Sequence, residues 1–383
     1  MKSLSLISPI LLGISIAHAQ QANLLERFDQ FDRNADGNLT REEMPRAEIF
    51  NRLDVNGDGI IQRQEISRRF SPGDRNKGYT MPDEPAHKKH LDLRYRKMDG
   101  VDPNLHSLDL YIPTDESKEP RPVMIMIHGG GWRGGDKANA SIVGAKMAHF
   151  VGNGYIYASI NYRLSPASPD QEGPRHPAHA EDCAAAIAWI HDNIAEYGGD
   201  PDQLHLMGHS AGAHLAGIVG TNERFLKAHD KPLSILKTNV LLDTAAIDIP
   251  GYLEQLDGRG MTQLYHNAFT DDPEKIRDAS PMDHIEPDKD IPPTILFYGG
   301  DRMALHTYGP AFAKALTQAG SPSVAIDTVD LDHGQINSHV GMIGDPMTPL
   351  IMRLHAGEDA SKFPTSLKKD SEAKSQEKKS PEV

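Results

Sequence analysis

The chain has 383 residues, 38% hydrophobic and 25% charged, enough for a full-sized core plus a small second unit; wholesale disorder and a membrane-embedded body are excluded. Its formal net charge of −14 argues against a nucleic-acid binder, because a phosphate backbone would be repelled rather than neutralised. A single cysteine excludes an internal disulfide: Cys183 recurs with Ile187, Ile190 and Ile194 at helical spacing and reads as a small buried apolar residue.

Residues 1–19 carry Lys2, a moderate apolar run broken by Pro9, and Ala17-His18-Ala19. This is the layout of a secretory signal peptide cut before Gln20, and it predicts a secreted or periplasmic product. The run is short for a membrane span, and no later segment reaches that length.

Residues 20–70 are charged, helix-prone and interrupted by two turns, "DRNADGNLTREE" and "DVNGDGIIQRQE". Each has oxygen-bearing side chains at positions one, three and five, glycine at six and glutamate at twelve. Ca²⁺ needs six to eight oxygens around one point; the glycine permits the sharp turn and the glutamate supplies two oxygens. The first loop offers Asp32, Asn34, Asp36, the Asn38 carbonyl, Thr40 and Glu43. The second offers Asp54, Asn56, Asp58, the Ile60 carbonyl, Gln62 and Glu65, with Leu39 and Ile61 placed to pair across the loops. Two structural Ca²⁺ sites are expected. The block resembles EF-hands, and its compact spacing, with Pro45 in the shared helix, resembles dockerins, which implies a structural or docking element.

Residues 71–86, rich in Pro, Gly and charge, read as a linker. From 87 to 357 strands and helices alternate. "HLDLRYRKM" and "HSLDLYIP" form a strand pair, followed by the strands "PVMIMI", "GYIYASINYRL", "QLHLMGHS", "NVLLDTAAIDI", "PTILFYGG" and "SVAIDTVDLD". Continuous apolar strands between helices predict a mainly parallel sheet covered on both faces. Residues 249–290 show little strand signal and fit a small lid. Residues 358–383, nearly free of apolar side chains, are expected to be a disordered charged tail.

Within this body "GHSAG" places Ser210 between Gly208 and Gly212, after an apolar strand and before a helix. A serine hydroxyl needs an adjacent base to become nucleophilic, and a sharp strand-to-helix turn presents it clear of the sheet. "IHGGGW" closes an earlier strand with three glycines, so Gly130, Gly131 and Ala211 are candidate oxyanion donors. Downstream, Asp301 and His333 each follow a strand, in the order such a triad requires, and are taken as the orienting acid and the general base. Asp243 and Asp248 are rival acids, read as shaping the loop after the preceding strand. His339 is a rival base, read as a surface or capping residue. His128, His209 and His214 flank the motifs without an evident proton-transfer role, and His176 and His179 read as structural.

"IHGGGW", "INYRLSP", "GHSAGAHLA", "YGGD" and "DHGQIN", in this order, resemble the α/β-hydrolase superfamily, in particular its hormone-sensitive-lipase-like and bacterial feruloyl/acetyl-esterase members. The resemblance implies an α/β-hydrolase fold beside the small all-α EF-hand pair. It also implies ester hydrolysis through an acyl-enzyme, without a cofactor in the chemistry. Esterified polysaccharide is the expected substrate. A lipase, a short-chain carboxylesterase, an aryl-formamidase and a calcium-dependent docking protein on a non-catalytic scaffold stay open.

Overall fold

The computed structural model describes residues 32, 38–40, 43, 60–62, 78–256, 258, 261–299, 303–329 and 331–367. The leader, Asp301 and the EF-hand ligands Asn34, Asp36, Asp54, Asn56, Asp58 and Glu65 lie outside them. The chain divides into two compact units, Met1–Tyr79 and Thr80–Val383. In the first, β1 (Asn38–Leu39) pairs antiparallel with β2 (Ile61–Gln62). Leu39 lies directly opposite Ile61, and both are fully buried, as the loop-position-eight pairing predicts.

In the second unit the apolar runs of the sequence become an eight-stranded sheet. Its strands are β3 (His87–Arg94), β4 (Ser107–Pro113), β5 (Arg121–Ile127), β6 (Ile156–Ile160), β7 (Gly199–His209), β8 (Leu236–Leu242), β9 (Thr294–Tyr298) and β10 (Val324–Asp327). Their order is β10-β9-β8-β7-β5-β6-β4-β3, antiparallel at the β3–β4 and β4–β6 pairs and parallel elsewhere. Strand β3 at the edge has only exposed and half-buried residues, whereas the β5, β6 and β9 patterns are almost wholly buried. A parallel strand packed on both faces demands such continuous apolar sequence.

The connections supply ten helices among the described residues: α1 (Ala140–Gly152), α2 (Ala178–Asn193), α3 (Ala211–Thr221), α4 (Arg224–Lys227), α5 (Ile249–Leu256), α6 (Thr262–Phe269), α7 (Pro273–Asp278), α8 (Met303–Gln318), α9 (His333–His339) and α10 (Met347–His355). One apolar core joins a face of the sheet to α2, α3, α8 and the 249–291 segment; the other joins the opposite face to α1, α9 and α10. Cys183 is buried in the first core, at the helical position its spacing predicts. No helix among the described residues is long and apolar enough to cross a membrane.

Three sequence expectations change. Thr80, assigned to the linker, exchanges backbone hydrogen bonds with Ile343 (3.2 and 2.8 Å) and so belongs to the hydrolase body. Residues 358–367, assigned to the tail, extend that body: Ala360 and Phe363 are buried, and Leu367 N donates to Asp327 O at 2.8 Å. Two apolar anchors are enough to seat this charged segment beside edge strand β10. His339, expected at the surface, is fully buried at the end of α9.

Candidate active site

Parallel pairing brings the ends of β7, β8, β9 and β10 to one edge of the sheet. Ser210 N donates to Leu242 O and Asp243 N to Phe297 O, both at 2.9 Å, so Ser210 and Asp243 leave adjacent strands side by side. Ser210 has φ 56° and ψ −117° and is followed at once by α3. That conformation costs of order 1–3 kcal/mol for a residue with a Cβ, and the neighbours must be small to allow it. A Cβ on Gly208 would lie 2.1 Å from the Gly212 carbonyl oxygen, and one on Gly212 would lie 2.2 Å from that of Ile127. The turn closes only with glycine at both places.

The imidazole comes from α9. Asp332 caps this helix, accepting from the amides of Gly334 and Gln335 at 2.9 Å, while Gln335 returns its carbonyl to Asp332 N at 2.9 Å. This capping box fixes His333 at the first helical position. His333 Nδ1 donates to Asp243 Oδ2. The Asp243 side chain is wholly buried, whereas that of His333 is 34% exposed, so the ring joins a buried carboxylate to an open face. His209, next to Ser210, donates from Nε2 to the His333 carbonyl at 3.0 Å, and the two rings lie 4.5 Å apart.

The acid seen on the imidazole is not the one the sequence favoured. Asp301 is the sequence's choice, but the carboxylate at the imidazole is that of Asp243, the rival after the preceding strand; Asp301 lies outside the described residues. The reason is the turn at Asp243: φ 51° and the Phe297 bond curl the chain at the end of β8 so that the side chain faces the sheet edge where α9 begins.

The glycine loop runs against the serine. A Cβ on Gly129 would stand 3.1 Å from Ser210 Cβ, and Gly130 and Gly131 hold φ of 122° and 61°. None of the described groups accepts a hydrogen bond from the Gly130 or Gly131 amide. Trp132, the next residue, is anchored: its indole Nε1 donates to His214 Nδ1 at 3.1 Å, and His214 Nε2 donates to Ala279 O at 2.8 Å. Burial pushes His214 down to about 3, which keeps its ring neutral, as both bonds require. His214 sits one turn after Ser210, so this bond ties glycine loop to nucleophile helix. Trp132 also meets Phe269 and Tyr265 of α6 edge-on at 4.7 and 5.3 Å, and Leu264 of α6 lies 3.1 Å from a Cβ placed on Gly131. The segment read as a lid thus forms three short helices, one of which covers the glycine loop.

His179 accepts or donates at 2.9 Å with Ser165, whose amide bonds Trp132 O at 2.7 Å. Burial and the neighbouring His176 push His179 down to about 3. Sequence reasoning gave His209, His214 and His179 no site role; for the first two the signal was position alone, one residue and one turn from Ser210, and for His179 there was none.

In the N-terminal unit, Thr40 donates from N (3.0 Å) and Oγ1 (2.9 Å) to Glu43 Oε2. Glu43 is buried and Leu39 opposes Ile61, so positions nine and twelve of the first loop meet while its position eight pairs with that of the second, as such an oxygen cradle requires. The residues present fit Ca²⁺. Among the described residues, most ligands being outside them, no group of three His, Cys, Asp or Glu gathers.

Comparison with known proteins agrees with this architecture. The BD-FAE family model matches residues 108–305, just over half of the chain, and an EF-hand model matches 25–44 and 46–71. Esterase LipQ of Mycobacterium tuberculosis is 33% identical over 216 residues, covering 53% of this chain and 48% of that protein. A probable isoprenylcysteine alpha-carbonyl methylesterase of Arabidopsis thaliana is 28% identical over 233 residues, 57% of this chain and 46% of that one. The chain thus spans about half the length of these curated relatives. Among solved structures, a truncated carbohydrate esterase from gut microbiota superposes with TM-score 0.58 at 20% identity, over 72% of this chain and 100% of that one. Esterase B from Lactobacillus rhamnosis gives 0.56 at 20%, over 74% and 90%; both are likenesses of fold.

Proposed function

Because the chain belongs to the BD-FAE family, we propose that it is a serine carboxylic-ester hydrolase working through an acyl-enzyme. The observation that carries the reading is the buried Asp243 carboxylate on the His333 imidazole, beside a strained serine between two obligatory glycines. With its Nδ1 proton committed to Asp243, neutral His333 keeps a lone pair on Nε2 for the Ser210 hydroxyl. Ser210 Oγ attacks the acyl carbon as its proton passes to Nε2, and the carbonyl electrons collect on an oxyanion held by the amides of Gly130, Gly131 and Ala211. Collapse breaks the ester bond; His333 gives its proton to the departing alcohol. Water then repeats the sequence and frees the acid and Ser210.

The leader-like residues 1–19 and the calcium-fitting loops support an exported enzyme, and acetyl or feruloyl esters on extracellular polysaccharide are the substrates we assign. A fluorophosphonate probe should label one serine, mapped to Ser210 by mass, and Ser210→Ala should lose both the label and p-nitrophenyl acetate hydrolysis. Label elsewhere, or turnover surviving in Ser210→Ala, would overturn the assignment.

In the N-terminal unit Asp32, Asn34, Asp36, the Asn38 carbonyl, Thr40 and Glu43 of the first loop, with their counterparts in the second, would hold Ca²⁺, whose charge offsets clustered carboxylates. Chelation is expected to lower that unit's melting transition, about 2.7 kcal/mol per site having been supplied at a hundredfold excess over Kd. Ester turnover below the transition should persist; calorimetry and initial rates with and without EDTA check both. A kcat that falls with the metal while the body stays folded would show the units to be coupled.

A further inference from the structure

Lys146 stands within α1, in a run that is otherwise small or apolar apart from Ser141 and His149, and it is 1% exposed. Burying an ammonium is costly unless every donor finds a partner. Its Nζ donates to Ser141 O at 2.9 Å, across a kink at Gly144 (φ −13°, ψ −108°), and to Asn337 O, 191 residues later. Asn337 belongs to α9, the helix that His333 begins. Among the described residues no carboxylate lies within ion-pair distance of Lys146. The nearest acid influence, Asp345, is buried and already bonded to the Thr348 hydroxyl (2.5 Å) and amide (2.9 Å). Burial pushes Lys146 down to about 7, against the pull of Asp345.

The rest of the junction is close-fitting. A Cβ on Gly341, just past α9, would lie 2.4 Å from the Ala145 carbonyl oxygen, so backbone touches backbone beside Lys146. Tyr157 OH takes the Ile142 carbonyl at 2.5 Å, so side chains bond two successive carbonyls of the kinked first turn of α1. Helix α9 is thus held at its start by the Asp332 capping box and His209, and near its end by Lys146.

The geometry points to Lys146 as a positioning residue: by tying the Asn337 carbonyl to α1 it holds α9, and with it the His333 imidazole, where proton transfer from Ser210 requires it. This rests on the ester-hydrolase reading. Misplacing a reacting group by about 1 Å costs up to about 100-fold.

Lys146→Met keeps the length and removes the donors; Lys146→Gln keeps a neutral donor. In the full chain with p-nitrophenyl acetate, K146M should lower kcat roughly 10- to 100-fold with KM nearly unchanged. K146Q, whose shorter side chain reaches one carbonyl at most, should lose less, about 3- to 10-fold in kcat, and fluorophosphonate titration should count the same fraction of active serine in all three proteins. An unchanged kcat in K146M, or a kcat loss that merely follows the active fraction, would overturn the proposal. If K146M does not fold, K146Q decides: a kcat loss with KM and active fraction held supports it, and wild-type kcat overturns it. Absence of hydrolysis in the wild type would instead remove the parent reading.

Discussion

Asp243→Asn is expected to lower kcat by about 10⁴-fold, whereas Asp301→Asn should stay near the wild-type rate. The His333 Nδ1–H needs a buried acceptor that fixes the tautomer and stabilises the ring once it gains the serine proton. Asp243, wholly buried, is on that nitrogen. An amide offers half an acceptor and no charge, and turned the other way it donates, forcing the proton onto Nε2, where it blocks the serine. The comparison is clean because Asn, like Asp, tolerates φ near 51°, so the Asp243 turn and its bond to Phe297 O survive.

Steady-state kinetics of the two variants, with circular dichroism to show that each is folded, separates the acids. A small loss in D243N with a large one in D301N would return the role to Asp301 and imply that the loop after β9 moves in during turnover. Equal, large losses with unchanged melting would mean that the imidazole uses both carboxylates.

The confusion between these acids shows what was legible in the chain. The nucleophile turn, the glycine loop and the His333 cap are local, each chemistry written in four to six consecutive residues. The parallel sheet followed from apolar runs with no polar face. The acid is a choice between the ends of adjacent strands, β8 and β9, and depends on which loop curls back over the sheet edge. One cue was present: "VLLD" runs straight from a buried strand into an acid with no intervening glycine, so Asp243 has no slack to reach solvent, whereas "YGGD" has. Lys146 was hidden for a related reason. A lysine within "VGAKMAHFVG" looks like a solvated point on a helix, and only the approach of α9, built from residues almost two hundred positions later, makes it an interior donor. Tertiary pairing of that range leaves no local pattern.

Acid should begin to unfold the protein before most carboxylates are protonated. Among the described residues, four histidines are pushed furthest down, by burial: His205 to about 4, His179 and His214 to about 3, and the half-buried His355 to about 2, with the His205 and His149 rings adding to the effect on His355. Their unfolded value is about 6.5. Above that neither state binds the protons and stability is fully present. As pH falls below 6.5 the unfolded chain takes them up and the native one does not, so each histidine removes up to about 1.4 kcal/mol per pH unit. Together they approach about 5–6 kcal/mol per unit, against a whole stability of about 5–15 kcal/mol. Asp345, which burial raises, opposes the trend as it protonates, but it is one group against four. The unfolding midpoint is therefore expected between about pH 4 and 5.5, with uptake of more than two protons in the transition. His355 offers the direct test, because its ring stacks on His205 at 3.9 Å far from the triad and against Tyr155 and Phe150. His355→Phe keeps the stack, removes one titrating ring and relieves its neighbour, so the acid midpoint should fall and the proton count drop by about one. Fluorescence-detected unfolding from pH 8 to 3 measures both; stability that stays flat to pH 4 would mean that these rings are protonated in the native state and that water reaches the interior beside them.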